Sequence, residues 1–295
     1  MDLAYLRAHP GHLPTFLLHQ RIRETPVTGG DTCVASRLTL DDGSSVFVKT
    51  WPEKSDRTRP DGFFVAEADG LCWLADSGAP TPGLIAGLPQ LLALDWIEPG
   101  PPTAESAARL GHDLAAMHRF GAPSFGAAWP GWIGRLALDN TPSPGPWSVW
   151  FAERRLLPYL RASVDAGALT DADARLVEEA AGRLGALGGD ESPSRLHGDL
   201  WPGNILWAAD GTARLVDPAA HGGHRETDLA NLALFGGAPH LDRLLAAYQE
   251  AHPLAAGWQA RRPAHQLHLL LVHTAQFGGG HRDAVVAAAS AALRG

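Results

Sequence analysis

Three polar residues stand out in the second half of the chain because each is embedded in apolar sequence. Asp199 and Asn204 lie in Leu196-His197-Gly198-Asp199-Leu200-Trp201-Pro202-Gly203-Asn204-Ile205-Leu206, and Asp217 lies in Leu215-Val216-Asp217-Pro218. Asp and Asn dominate turns, and a single Asp-Gly pair would be read as one. Here a carboxylate and an amide share one loop, and a second carboxylate follows thirteen residues beyond Asn204. Phosphoryl transfer from ATP needs a carboxylate to orient or deprotonate the acceptor hydroxyl. It also needs oxygen ligands for Mg2+ on the phosphates. Asp199 fits the base, and Asn204 and Asp217 fit the metal ligands.

The first half of the chain offers complementary groups. In Val46-Phe47-Val48-Lys49, alternation sets Val46 and Val48 opposite Phe47 and Lys49. A lysine on such a strand serves as partner to ATP phosphates and to a helix glutamate in kinase-type sites. Glu67 is the candidate glutamate, and a solvated edge lysine is the alternative. After Lys54 no lysine occurs at all, so Lys49 in an apolar strand is conspicuous. Gly29 and Gly30 would let backbone approach the phosphates, although a plain turn has the same signature. The strand ending Leu94-Asp95-Trp96-Ile97 is a candidate adenine hinge, read by its backbone between apolar neighbours.

These residues need elements to hold them. A short N-terminal helix over residues 3–20 is expected to be broken by Pro10 and Pro14. After Thr28-Gly29-Gly30-Asp31, residues 33–40 and 45–50 read as a hairpin turning at Asp41-Asp42-Gly43. A loop over 57–62 precedes a helix over 64–77 that stops at Gly78. A buried strand over 91–94 follows. Glu98-Pro99-Gly100-Pro101-Pro102 reads as a linker. Beyond it, Leu110, Leu114 and Met117 mark an amphipathic helix over 103–120. Residues 123–146 look irregular. Helices are expected over 147–166 and 171–187, with Thr170 and Asp173 capping the second. Short apolar segments over 195–207 and 213–218 flank a turn at Asp210-Gly211, and residues 226–294 read as mostly helical.

Composition sets limits. The 295 residues carry a formal net charge of −8, which argues against a general nucleic-acid or membrane-surface binder. No apolar run approaches the roughly 20 residues that span a bilayer. The N-terminus lacks the pattern of a signal peptide. Only Cys33 and Cys72 are present, so no disulfide scaffold is expected and a cytoplasmic location is the natural reading.

The string around Asp199 resembles the aminoglycoside-phosphotransferase-like kinases. Trp201 narrows the likeness to the fructosamine kinases, also called ketosamine 3-kinases. The run Asp217-Pro218-Ala219-Ala220-His221-Gly222-Gly223-His224-Arg225-Glu226-Thr227-Asp228-Leu229-Ala230 is similar to that family's second signature. Trp150-Phe151-Ala152-Glu153-Arg154-Arg155-Leu156 and His273 with Phe277-Gly278-Gly279 are further matches. The resemblance implies an α+β, two-lobed protein-kinase-like fold, with a small β-rich lobe over 1–97 and a helical lobe over 98–295. It implies ATP and Mg2+ as cofactors. The acceptor would be a fructosamine or ribulosamine, free or on a protein lysine, phosphorylated at its 3-hydroxyl so that the adduct breaks down and frees the amine. Trp201 and His273 would flank that acceptor, with a core anchor as the alternative for the first and a satisfied core histidine for the second. His224, Glu226 and Asp228 would brace the catalytic loop, Asp228 most directly.

Three departures from the family pattern bear on the site. Asp95 stands where relatives often have Glu. Gly222 replaces a common aromatic and is expected to open space for a larger acceptor. Cys33 is offset from the redox-sensitive cysteine of some eukaryotic relatives, and a packed strand cysteine is expected. The rival enzyme is a kinase of the aminoglycoside or choline type acting on another hydroxylated amine. The non-enzyme rival is a nucleotide-binding pseudokinase, against which the intact set Lys49, Asp199, Asn204 and Asp217 speaks. The oligomeric state is open, with a monomer favoured.

Overall fold

In the computed structural model, residues 3–18, 22–30, 32–52 and 58–294 are described. Gln20, Asp31 and Arg57, which bound three of the expected segments, lie outside them. Five antiparallel strands form the first sheet: β1 (Arg23–Val27), β2 (Val34–Thr39), β3 (Ser45–Thr50), β4 (Leu84–Leu88) and β5 (Leu91–Asp95), ordered β1-β2-β3-β5-β4. Alternation in β3 works as expected. Val46 and Val48 pack outward with Leu38, Ile85 and Ala93, covered by Leu6 and Leu13 of α1 (Leu3–Ala8) and α2 (Leu13–Leu18). Phe47 packs inward with Leu92 and Leu94 against Phe63, Phe64 and Leu71 of α3 (Phe63–Ala75). Pro10 ends the first helical stretch, whereas Pro14 sits in the first turn of α2, where its missing N–H costs nothing.

Two strands of this sheet escaped the sequence reading. β1 is an edge strand, mostly exposed and carrying Pro26, so it shows neither alternation nor an apolar run. β4 is the opposite edge, only five residues long and containing Gly87.

The remainder is helical around small hairpins. α4 (Ala104–Phe120) is capped by Thr103 and Ser106 and buries Leu110, Leu114 and Met117. The short pair β6 (Gly131–Ile133) and β7 (Leu136–Leu138) lies inside the segment expected to be irregular. α5 (Trp147–Phe151) and α6 (Leu157–Asp165) form one helical path through a π turn over Ala152–Leu156. That turn buries Arg155, whose guanidinium lies over Trp150 and donates to the Asp139 carbonyl and to Asn140 Oδ1, both at 2.7 Å. α7 (Asp171–Gly182) begins with the expected Thr170–Asp173 capping box. β8 (Ser194–Leu196), β9 (Ile205–Trp207), β10 (Ala213–Leu215) and β11 (His221–Gly223) frame the segments of Asp199, Asn204 and Asp217. α8 (Arg225–Asn231), α9 (Leu241–Ala251), α10 (Trp258–Phe277) and α11 (Arg282–Ala292) complete the chain. The central α10 buries Leu267, Leu269, Leu270, Leu271 and Val272 in the largest core. No helix among the described residues is long and apolar enough to cross a membrane.

Candidate active site

A cavity of about 550 Å3 runs between the first sheet and the helical part. Its lining joins Gly29, Gly30, Lys49 and Glu67 to Asp95, Trp96 and Ile97, and these to Asp199, Asn204, Asp217, Trp201 and His273. Residues chosen from seven separate stretches of sequence thus meet around one space.

Lys49 is the hub. Its Nζ donates to Glu67 Oε1 at 2.8 Å, to Glu67 Oε2 at 3.0 Å and to Asp217 Oδ1 at 2.8 Å. Burial works against its charge, but the carboxylates of Asp217 and Glu67 outweigh burial and hold the ammonium above its usual range. The solvated-edge alternative is excluded, because Lys49 is only 9% exposed. Asp217 takes a left-handed backbone conformation, φ 56°, which is uncommon for a residue with a side chain and clusters at functional sites.

The loop that carries Asp199 is built from its backbone outward. Gly198 has φ 82°, and a Cβ there would lie 2.2 Å from the Ala219 carbonyl oxygen, so the turn accepts only glycine. The buried Asp228 carboxylate accepts from the N–H groups of His197 at 2.8 Å and Gly198 at 3.0 Å, and from His118 Nε2 at 3.2 Å. His197 Nε2 donates to the Val216 carbonyl at 2.9 Å while its Nδ1 accepts from the Asp199 N–H at 3.3 Å. The buried His197 ring, held neutral by burial, therefore couples Asp199 to the residue before Asp217. Sequence reasoning gave His197 no role.

Asn204 Nδ2 donates to the Asp199 carbonyl oxygen at 2.8 Å and to Asp199 Oδ2 at 3.0 Å. The other carboxylate oxygen, Asp199 Oδ1, is buried and finds no hydrogen-bond partner among the described residues. Burial raises the Asp199 carboxyl well above its usual range, against the Asn204 bond, and Asp217 and Asp228 raise it further. An orphaned, basic acceptor oxygen at a cavity wall is suited to receive a hydroxyl proton.

The Trp201 ring lies directly over Gly203, where a Cβ would sit 2.1 Å from it. It meets Phe235 edge-on at 5.7 Å and His273 at 6.2 Å, and Phe235 packs on His273 at 4.5 Å. Trp201 is half-buried, leaving ring surface for the cavity while its remainder packs against the large core. His273 joins an aromatic cluster with Phe277 and His281 rather than sitting as an isolated core histidine. Phe235, at φ 51°, and Trp132 and Gln276 in the cavity lining were not singled out from the sequence. All three lie in Gly/Pro-interrupted or helical stretches without polar motifs.

Four expectations need correction. His224 and Glu226 do not touch the catalytic loop. His224 caps α8 and its Nε2 donates to the Gly189 carbonyl at 2.6 Å, while Glu226 binds Arg261 of α10 through two bonds of 2.6 and 2.8 Å. Only Asp228, two residues past Glu226 and so on the other side of the helix, reaches the loop. Asp95 spends its N–H on the Gly83 carbonyl at 2.9 Å and its carboxylate on Arg7, so its amide does not serve as the adenine donor. Gly222 opens no space. It exchanges backbone bonds with Gly126 at 2.8 and 2.9 Å, and a Cβ would strike the Ser124 carbonyl at 2.0 Å. Finally, residues 131–138 form the hairpin β6–β7 instead of an irregular loop, and residues 131–134 of it wall the cavity. Cys33, expected as a packed strand cysteine, lies in the bend just before β2, half-buried beside α3 and at the cavity wall, and burial pushes its thiol up to about 12.

Beneath the site, His221, His265 and His268 are buried, and burial lowers all three rings, His265 to about 4. The folded state refuses protons that the unfolded chain accepts near pH 6.5. Stability is therefore full above that pH and falls as pH drops toward the folded values. All three rings are expected to lower stability as pH falls from 7 to 5, His265 by about 2 kcal/mol. Neither nitrogen of His268 has a partner among the described residues, so His268→Leu should keep the fold and flatten this slope. Urea midpoints at pH 7 and 5 test it; an unchanged slope in the variant would refute the assignment.

Comparison with known proteins agrees with this geometry. A family model described as Fructosamine kinase matches residues 16–294. The chain is 37% identical over 249 residues to the probable ketoamine kinase of Thermus thermophilus, covering 81% of this chain and 86% of that one. It is 36% identical over 229 residues to the probable ketoamine kinase YniA of Escherichia coli K12, covering 74% and 76%. A Thermobifida fusca crystal structure assigned as a fructosamine-3-kinase superposes with a TM-score of 0.87 at 50% identity, covering 94% and 95%. At 14% identity, the choline kinase LicA of Streptococcus pneumoniae, TM-score 0.61 with 99% and 100% covered, shares the fold. With the family model covering nearly the whole length, the chain belongs to the fructosamine kinase family, a family of ATP-dependent phosphotransferases.

Proposed function

We propose that the protein transfers the γ-phosphoryl group of ATP to the 3-hydroxyl of a ketosamine, a fructosamine or ribulosamine, as a step in deglycation. The observation that carries this is the buried, unpartnered Asp199 Oδ1 facing a cavity whose other wall holds Lys49, Glu67 and Asp217. Residues 1–97 would act as the nucleotide-covering lobe and 98–295 as the lobe carrying loop and acceptor site. Gly29 and Gly30 would lie over the phosphates, Lys49 would hold them, and the strand end at Trp96 and Ile97 would read adenine. The donor set fits a hard cation: Asn204 spends its amide hydrogens on Asp199, reserving its carbonyl, and Asp217 adds a carboxylate. Bound Mg2+ would neutralise charge building on the phosphates. Asp199 would accept the 3-hydroxyl proton and align the oxygen for attack, while Trp201 offers a flat apolar platform to the C–H side of the sugar.

The test is ADP release with Mg-ATP and a panel of fructosyl-, ribulosyl- and erythrulosyl-amines, aminoglycosides and choline. Turnover of the ketoamines and not the others is expected, with loss on adding a chelator. Preference for choline or an aminoglycoside would overturn the proposal. Trp201→Ala should raise the KM for ketoamines about tenfold or more with little change in the KM for ATP. If Trp201 serves only the core, its truncation should instead lower the melting temperature and disturb both KM values.

A further inference from the structure

Helix α3 carries Glu67, yet its own sequence secures it poorly. Gly62 at its start makes no side-chain cap, no acidic residue occupies its first turn, and no basic residue occupies its last. A helix C-terminus carries unsatisfied carbonyls and partial negative charge, which a cation there would stabilise. The cation is supplied from elsewhere. Arg195 of β8, four residues before Asp199, donates through Nη1 to the carbonyl of Trp73 in the last turn of α3. Its guanidinium is sandwiched between the rings of Trp73, 4.2 Å away, and Phe120 at the end of α4, 4.3 Å away. The Trp73 ring in turn meets Trp129 edge-on at 5.5 Å.

Arg195 is only 7% exposed, and no carboxylate lies within salt-bridge distance of it among the described residues. Two aromatic faces, a helix end and the more distant carboxylate of Asp76 offset its charge, an arrangement worth more when desolvated. A second contact fixes the middle of α3. Gly70 packs on Pro218 and Ala220, and a Cβ at Gly70 would stand 3.2 Å from Ala220. The helix is thus held against the segment after Asp217 at one point and against the strand feeding the catalytic loop at the other. One turn before Gly70, on the N-terminal side of both points, Glu67 reaches Lys49.

We infer that Arg195 is a positioning residue: by clasping the C-terminal turn of α3 to the catalytic strand, it holds Glu67 against Lys49 and so sets the nucleotide site. This rests on the proposed nucleotide role of the Lys49–Glu67 pair. The test compares Arg195→Lys, Arg195→Met and Glu67→Gln by steady-state kinetics, with melting to verify folding. Arg195→Met keeps length and loses charge; it is expected to raise the KM for ATP about three- to tenfold while leaving the KM for the acceptor within twofold. Arg195→Lys keeps a cation over the rings and should stay within about twofold of wild type for ATP. In the Glu67→Gln background, Arg195→Met should add little, because its effect passes through Glu67. Met performing as well as Lys, or losses that multiply in the double variant, would overturn the inference. A Glu67→Gln variant with normal ATP kinetics would instead refute the nucleotide role on which it rests.

Discussion

Asp199→Asn is expected to reduce kcat by about 10²–10⁴-fold while ATP binding stays near normal. The expectation follows from which oxygen is committed. Oδ2 accepts from Asn204 Nδ2, so an asparagine at 199 would turn its carbonyl toward Asn204 and place its NH2 where Oδ1 stood. That position would then donate toward the acceptor hydroxyl instead of receiving its proton. Lys49, Glu67 and Asp217 hold one another without Asp199, so the nucleotide side keeps its geometry. The neutral amide also removes a buried charge, so the melting temperature should hold or rise, as is common where function strains a site. Single-turnover assays, calorimetry with ATP and thermal melting test the three parts. More than about half the wild-type rate in the variant would remove Asp199 from the role of base.

How much of this site the sequence discloses depends on the physical signal each residue emits. Asp199, Asn204 and Asp217 are legible because polar groups in apolar strings are costly unless used, and Lys49 because alternation in β3 turns it inward. The helix α3 is legible from its length and apolar content, and α7 from its capping box. What sequence cannot display is partnership across long separations. Arg195 reads as one basic residue in a short strand until Trp73 and Phe120 enclose it. Glu226 and Asp228 sit two residues apart on one short helix, and nothing local says that the first faces Arg261 and the second His197. The edge strand β1 and the pair β6–β7 are invisible for another reason. Their pairing energy comes from neighbours, and exposed or three-residue strands have no periodicity to read.

Asp228→Ala is expected to be the most destabilising single change near the loop, costing about 3–5 kcal/mol. The Asp228 side chain is fully buried and takes three donors: two consecutive backbone N–H groups of the catalytic loop and the His118 ring. The ring is itself fixed at Nδ1 by the Tyr248 hydroxyl at 2.8 Å, so it cannot turn away to a new acceptor without losing that bond. Alanine leaves all three donors buried without their acceptor. The loss is therefore the desolvation of stranded donors, larger than the sum of ordinary net hydrogen bonds. For a chain of this size it should lower the melting temperature by roughly 5–8 °C. Catalysis should suffer as well, because His197 ties the loop to Val216 and thereby to Asp217. Asp228→Asn retains one carbonyl oxygen and should recover part of the stability. Thermal melting of both variants beside wild type decides the matter: an alanine variant melting within about 2 °C of wild type would show that the loop stands without this brace.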